Sequence, residues 1–158
     1  MLFKLTILEL FVRLLPEAFF LILSGYAYSR IRIEKKNYLI STCILVIIGF
    51  VTRLLPIQQG VYSILNLIGM MLLLIFINKI DTIKAVTATV IIFIITFLSE
   101  GIMVTIFSNV FHKDMVLIYN DPIKRLIYGM PSLIIVAFIV VGYYFILSRS
   151  GKLKNVSY

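Results

Sequence analysis

One cysteine and one histidine are all the thiol and imidazole that this chain of 158 residues contains. Cys43 cannot close a disulfide within one chain. In the middle of an apolar run it behaves as a small hydrophobic side chain. His112, flanked by Lys113 and Asp114, has no second His or Cys with which to build a zinc shell. No metal and no cofactor are therefore expected. Glu17 and Glu100 could in principle form an acid/base pair, but no nucleophile, metal cluster or activated histidine accompanies them, so a non-enzymatic protein is expected. Charge is scarce too: 14% of residues are Asp, Glu, Lys or Arg, against 61% hydrophobic and a mean hydropathy of +1.09. A soluble domain of this size has too much boundary with water to hide that much apolar surface. The surrounding solvent must be largely lipid.

The few charges fall into the gaps and edges of five apolar stretches, near residues 4–29, 37–55, 61–78, 84–110 and 126–148. Crossing a hydrocarbon core of ~30 Å takes roughly 20 helical residues. Backbone groups in lipid must be satisfied within the segment, and the alternating pattern of a membrane barrel is missing. The sequence therefore predicts an all-α polytopic membrane protein, one compact bundle of about five helices formed by a single domain over residues 1–158. Breakers agree with the borders: Arg30 to Lys36, Pro56 to Gly60, Asn78 to Asp81, and Asn120-Asp121-Pro122. No signal peptide is expected, since Glu9, Arg13, Pro16 and Glu17 interrupt the first apolar segment.

Basic residues give a direction. With the first and third loops and the C-terminal tail inside, the inner set is Arg30, Arg32, Lys35, Lys36, Lys79, Lys84, Arg149, Lys152 and Lys154, nine of the fifteen Lys and Arg. Lys4, Arg13, Arg53, Lys113, Lys124 and Arg125 form the outer set. The excess predicts N-terminus outside and C-terminus inside. The net charge of +8 is read as anchoring of the inner loops to anionic headgroups, not as nucleic-acid binding.

Ionisable groups inside a span are costly and usually face a partner or a cavity. Here they are Glu9, Arg13 and Glu17 in the first span, Arg53 in the second and Glu100 in the fourth. Glu100 lies sixteen residues beyond Lys84, about 24 Å along a helix rising from the inner surface. Arg53 ends a rising span, whereas Arg13 and Glu17 lie early in a descending one. Arg13, Glu17, Arg53 and Glu100 therefore converge on the outer half of the bilayer and are the candidate ligand-binding residues. Polar stripes at helical spacing lead to them: Thr6, Glu9, Arg13, Glu17, Ser24 and Tyr28; Thr42, Gly49 and Arg53; Thr89, Thr96 and Glu100. Glu9–Arg13 and Arg13–Glu17 are spaced i,i+4 for local pairing, which leaves Arg53 and Glu100 to pair across helices.

Pro16 is expected to kink the first helix and free the Val12 carbonyl, Pro56 to end the second, and Pro131 to bend the start of the last. Tyrosines near span ends suit the headgroup region. Met70-Met71 look lipid-facing, while Asn66 and Gly69 suit helix contacts. Residues 111–125 form the one sizeable outer loop, a candidate lid. The charge cluster admits three readings. It can neutralise itself and fix helix register, bind an extracellular ligand, or relay protons or ions.

Several short spans, minimal loops, a Glu-x-x-x-Arg-x-x-Pro-Glu stretch from Glu9 to Glu17, and Arg-Leu-Leu-Pro at residues 53–56 resemble the membrane sensor region of peptide-sensing histidine kinases of the Agr-receptor type in Firmicutes. The Ile-, Lys- and Asn-rich composition suits a low-GC Gram-positive bacterium and its cytoplasmic membrane. After the last span come Ser150 to Tyr158, and the dimerisation helix, phosphoacceptor histidine and ATP-binding domain of such kinases have no counterpart. The adjacent His and Cys of the peptide-processing protease of that system are missing as well. The resemblance thus implies a sensor-like module acting through a membrane or cytoplasmic protein partner. A small transport component, either a substrate-binding membrane subunit or a protomer of a homo-oligomeric carrier, and a structural subunit of a membrane complex are the alternatives.

Overall fold

The computed structural model of the protein describes residues 10–54, 59–110 and 122–155. Five α-helices make up nearly all of it: α1 Leu15–Ser29, α2 Lys35–Leu54, α3 Gln59–Phe76, α4 Thr82–Asn109 and α5 Pro122–Arg149. No β-strand occurs among the described residues, and a lone parallel bridge joins Ile31 to Lys154. Four segments, Phe11–Ser29, Lys35–Arg53, Thr82–Asn109 and Leu126–Arg149, are long and apolar enough to cross a membrane, and Val61–Phe76 is a shorter apolar helix. The protein is an all-α, membrane-spanning bundle whose helices fall on the five stretches expected from sequence.

A π-helical turn, Leu10–Leu14, leads directly into α1. Pro16 has no N–H to offer the Val12 carbonyl, and the backbone widens at that point. Pro131 lies inside α5, which continues through it.

α1 is the central helix. It packs against α2, α4 and α5 and touches α3, while the other four follow one another around it, α2 on α3, α3 on α4 and α4 on α5. Its small residues permit this. Ala18, Ser24, Gly25 and Ala27 are all buried, and Gly25 lies directly beneath the Leu74 side chain of α3. Ile22, Tyr26, Leu45, Met70, Leu74, Ile92 and Val140 complete the core. Met70 is 0% exposed, so the lipid-facing position expected for it is wrong. The flexible thioether belongs to the core cluster. Gly69 and Asn66 are buried at the α2–α3 contact, as expected. Cys43 is exposed on α2.

Tyr26 also departs from the headgroup placement expected for it. Fully buried, it donates from Oη to Asn78 Oδ1 at 2.5 Å, and Asn78 Nδ2 donates to Ser41 Oγ at 2.7 Å and to the Leu73 carbonyl at 3.0 Å. Tyr38 Oη donates to the Phe19 carbonyl at 2.8 Å. In lipid a phenol gains more from a fixed acceptor inside the bundle than from an apolar exterior.

The α1–α2 loop, the α3–α4 loop and the tail gather at one end of the bundle. α1 closes with Arg30 in the left-handed region (φ 56°), with Arg30 N–H donating to the Ala27 carbonyl and Ile31 N–H to the Tyr26 carbonyl. α3 is followed by Lys79, also left-handed (φ 51°). At the end of α5, Gly151 (φ 63°) turns the chain and Lys152 N–H donates to the Leu147 carbonyl. The tail then folds back under the first loop. Arg32 N–H donates to the Lys154 carbonyl at 2.9 Å and Lys154 N–H to the Arg30 carbonyl at 2.8 Å.

Candidate functional site

The opposite end of the bundle holds the intramembrane charges. Arg13 sits in the π-helical turn and Glu17 in the first turn of α1, Arg53 lies in the last turn of α2, and Glu100 stands on the distal part of α4. Arg53 Nη2 lies 3.5 Å from Glu17 Oε2, and both side chains are largely shielded at 17% and 23% exposure. The same guanidinium lies over the Tyr62 ring of α3, 4.9 Å from its centroid. Glu100 lies within electrostatic reach of Arg13 and Glu17. Of the four residues singled out from sequence, Arg53 and Glu17 meet directly, while Arg13 and Glu100 stand at the same end of the bundle without an ion pair to any of the other three.

Their pairing differs from the expected one. Among the described residues, Arg53 pairs with Glu17 and not with Glu100, and Arg13 and Glu17 form no i,i+4 bridge. The π turn explains the second point. It adds backbone between Arg13 and Glu17, so the two side chains leave the helix toward different neighbours. Arg13 runs to α5, where a Cβ on Gly129 would stand 2.9 Å from its Nη1, while Glu17 turns toward α2. Glu9 lies outside the described residues, as do His112 and residues 111–121 of the expected lid.

Two of the stripes do look inward. Ser24 is buried on α1, as are Thr42 and Gly49 on α2, with Arg53 half-buried. The α4 stripe begins buried at Thr89, is half-buried at Thr96 and ends exposed at Glu100. The buried residues of α4 are Ala85, Ala88, Thr89, Ile92 and Ser99, and a Cβ on Gly101 would meet nothing within 4 Å. Ser99 beside it is buried and Phe107 beyond it still packs edge-on against Tyr128 of α5, so Glu100 lies on an uncovered face of α4, and the inward orientation expected for it is corrected to an exposed one.

Five buried polar side-chain atoms have no hydrogen-bond partner among the described residues: Glu17 Oε2, Tyr62 Oη, Asn66 Oδ1 and Thr96 Oγ1 on α1, α3 and α4, and Ser29 Oγ at the far end of α1. Asn66 Oδ1 faces Gly49, 3.4 Å from where its Cβ would stand, beside the Leu14 side chain. Buried polar atoms without hydrogen-bond partners are uncommon. Sequence reasoning missed Tyr62 and Gly129 and gave Asn66 only a packing role. Tyr62 and Asn66 are spaced i,i+4 on α3, which was the available signal.

Two guanidinium groups, two carboxylates, an aromatic face and unsatisfied acceptors make a surface suited to holding a dipolar or zwitterionic molecule. It offers no evident nucleophile. Among the described residues no cluster of three or more His, Cys, Asp or Glu could hold a metal ion. Comparison of the chain with protein families, curated proteins and solved structures finds no match.

Proposed function

We propose that the protein is a non-enzymatic sensor or regulatory module of a bacterial cytoplasmic membrane, N-terminus outside and C-terminus inside. Arg13, Glu17, Arg53 and Glu100 bind an extracellular ligand in the outer half of the bilayer, and the basic inner loops pass its presence to a protein partner. The observation that carries this reading is the unsatisfied Glu17 Oε2, buried 3.5 Å from Arg53 without a hydrogen bond. A cluster that served only to neutralise itself would close that contact with hydrogen-bonding geometry. The resemblance to the sensor region of peptide-sensing kinases points the same way.

The exposure of Glu100 favours a second reading, a small transport component in which a second protomer meets this carboxylate. An unshielded acid on a span calls for a polar neighbour. Co-purification of tagged wild type, Arg53→Ala and Glu100→Gln from native membranes, with mass spectrometry of what is retained, separates the readings. A sensor keeps one partner at the same stoichiometry in all three and loses its output in the variants. Release of the partner by the variants makes the chain a structural subunit. Recovery as a homo-oligomer whose uptake into liposomes fails in Glu100→Gln makes it a carrier.

A further inference from the structure

The basic end of the bundle is built, not merely charged. Arg30, Arg32, Lys35, Lys36, Lys79, Lys84, Arg149, Lys152 and Lys154 are all exposed there. Two backbone hydrogen bonds, Arg32 N–H to the Lys154 carbonyl and Lys154 N–H to the Arg30 carbonyl, fix the tail beside the first loop. Arg30, Arg32, Lys152 and Lys154, far apart in the chain, thereby share one patch, with Arg149 a turn away at the end of α5. These bonds use main-chain atoms only, so the clasp itself does not occupy the side chains of the patch.

The backbone bears a cost for keeping cations here. Arg30 and Lys79 occupy left-handed cap positions at φ 56° and 51°, where glycine is normally favoured by about 1 kcal/mol. A cation near a helix C-terminus recovers part of that.

Depth identifies the occupant. The first span ends at Ser29, the second begins at Lys35 and the last ends at Arg149, so the patch lies at headgroup level. The Arg149 guanidinium lies over the Phe145 ring at 4.9 Å, and Phe145 is itself exposed on the apolar flank, an arrangement that carries the charge along the lipid face toward the interface.

We propose that the clasped tail and first loop, through Arg30, Arg32, Arg149, Lys152 and Lys154, form a binding site for the phosphate headgroups of anionic phospholipids. The site is independent of whatever the opposite end of the bundle binds. Its selectivity comes from the clasp, not from the total charge of that end.

The test places the whole chain in nanodiscs of phosphatidylcholine alone or of an equal mixture with phosphatidylglycerol. Thermal midpoints and the lipid retained in native mass spectrometry are the readouts. Wild type should melt higher in the anionic discs and retain phosphatidylglycerol. The triple variant Arg32→Gln, Lys152→Gln, Lys154→Gln keeps the backbone bonds and should retain on the order of 100-fold less. The charge-matched control Lys35→Gln, Lys36→Gln, Lys84→Gln should behave nearly as wild type. Equal losses in the two triples would overturn the site in favour of a diffuse field, and so would an undiminished clasp variant. Equal behaviour of wild type in both discs, with the clasp variant shedding an acidic protein from native membranes, would replace the lipid by that protein.

Discussion

Tyr26 Oη donates to Asn78 Oδ1 across 2.5 Å, both residues fully buried toward the loop end of the bundle, tying α1 to the turn that follows α3. Asn78 spends its amide donors on Ser41 and on the Leu73 carbonyl, so a single side chain joins α1, α2 and α3. Tyr26→Phe should cost about 1 kcal/mol, in line with polar contacts between membrane helices. Asn78→Leu should cost more, because it strands the Tyr26 and Ser41 hydroxyls in an apolar core. Thermal unfolding of both single variants and of the double variant in one lipid or detergent checks this, and the double should cost less than the sum.

The pairing of Arg53 with Glu17 sets two mutant cycles against each other. Arg53→Ala with Glu17→Gln should show a coupling of about 0.5 kcal/mol or more, since the groups are 3.5 Å apart and shielded. Arg53→Ala with Glu100→Gln should be additive. The reverse pattern would restore the cross-helix pair read from sequence.

Glycines divide into those under load and those in open space. Gly25→Ala would press a methyl into Leu74, and Gly49→Ala would bring Cβ to 2.8 Å from Leu14 Cδ2. Each should destabilise by ~1–3 kcal/mol. Around Gly101 and Gly142 nothing lies within 4 Å, and alanine there should be neutral or stabilising by ~0.5–1 kcal/mol. One series of melting curves covers all four.

Gly129→Ala tests the seat of Arg13. A Cβ would lie 2.9 Å from Nη1 and 3.0 Å from Cζ, so the guanidinium must move. Because a long side chain can yield, the stability loss should stay under ~1 kcal/mol. Sensor output should fall together with that of Arg13→Ala. A fully active Gly129→Ala would detach Arg13 from the site.

The helices, and the end of the bundle at which Arg13, Glu17, Arg53 and Glu100 stand, could be read directly from the chain, because apolar length and charge placement are one-dimensional properties. Partners could not. Helical spacing brought Arg13 and Glu17 within i,i+4 reach, but the π turn before Pro16 separated them, and a local widening of the backbone leaves no mark on the hydropathy pattern. Met70 and Met71 are indistinguishable to a hydropathy scale, yet one is fully buried, because burial depends on which face of α3 turns into the core. Glu100 lies at the expected end of the bundle but on an exposed face, since spacing along α4 does not tell which of its faces the neighbours cover. The joining of Arg30 to Lys154 depended on a left-handed Gly151 that redirects the tail.

The central position of α1 also bears on the order of assembly. It precedes the other four helices in the chain, and its segment and Lys35–Arg53 are less apolar than the later long spans. The helix least at ease in lipid is thus the post around which the rest are laid. Each later helix adds to an outer face, none has to be threaded into a closed ring, and the exposure of Arg13 and Glu17 to hydrocarbon ends as their neighbours arrive in order.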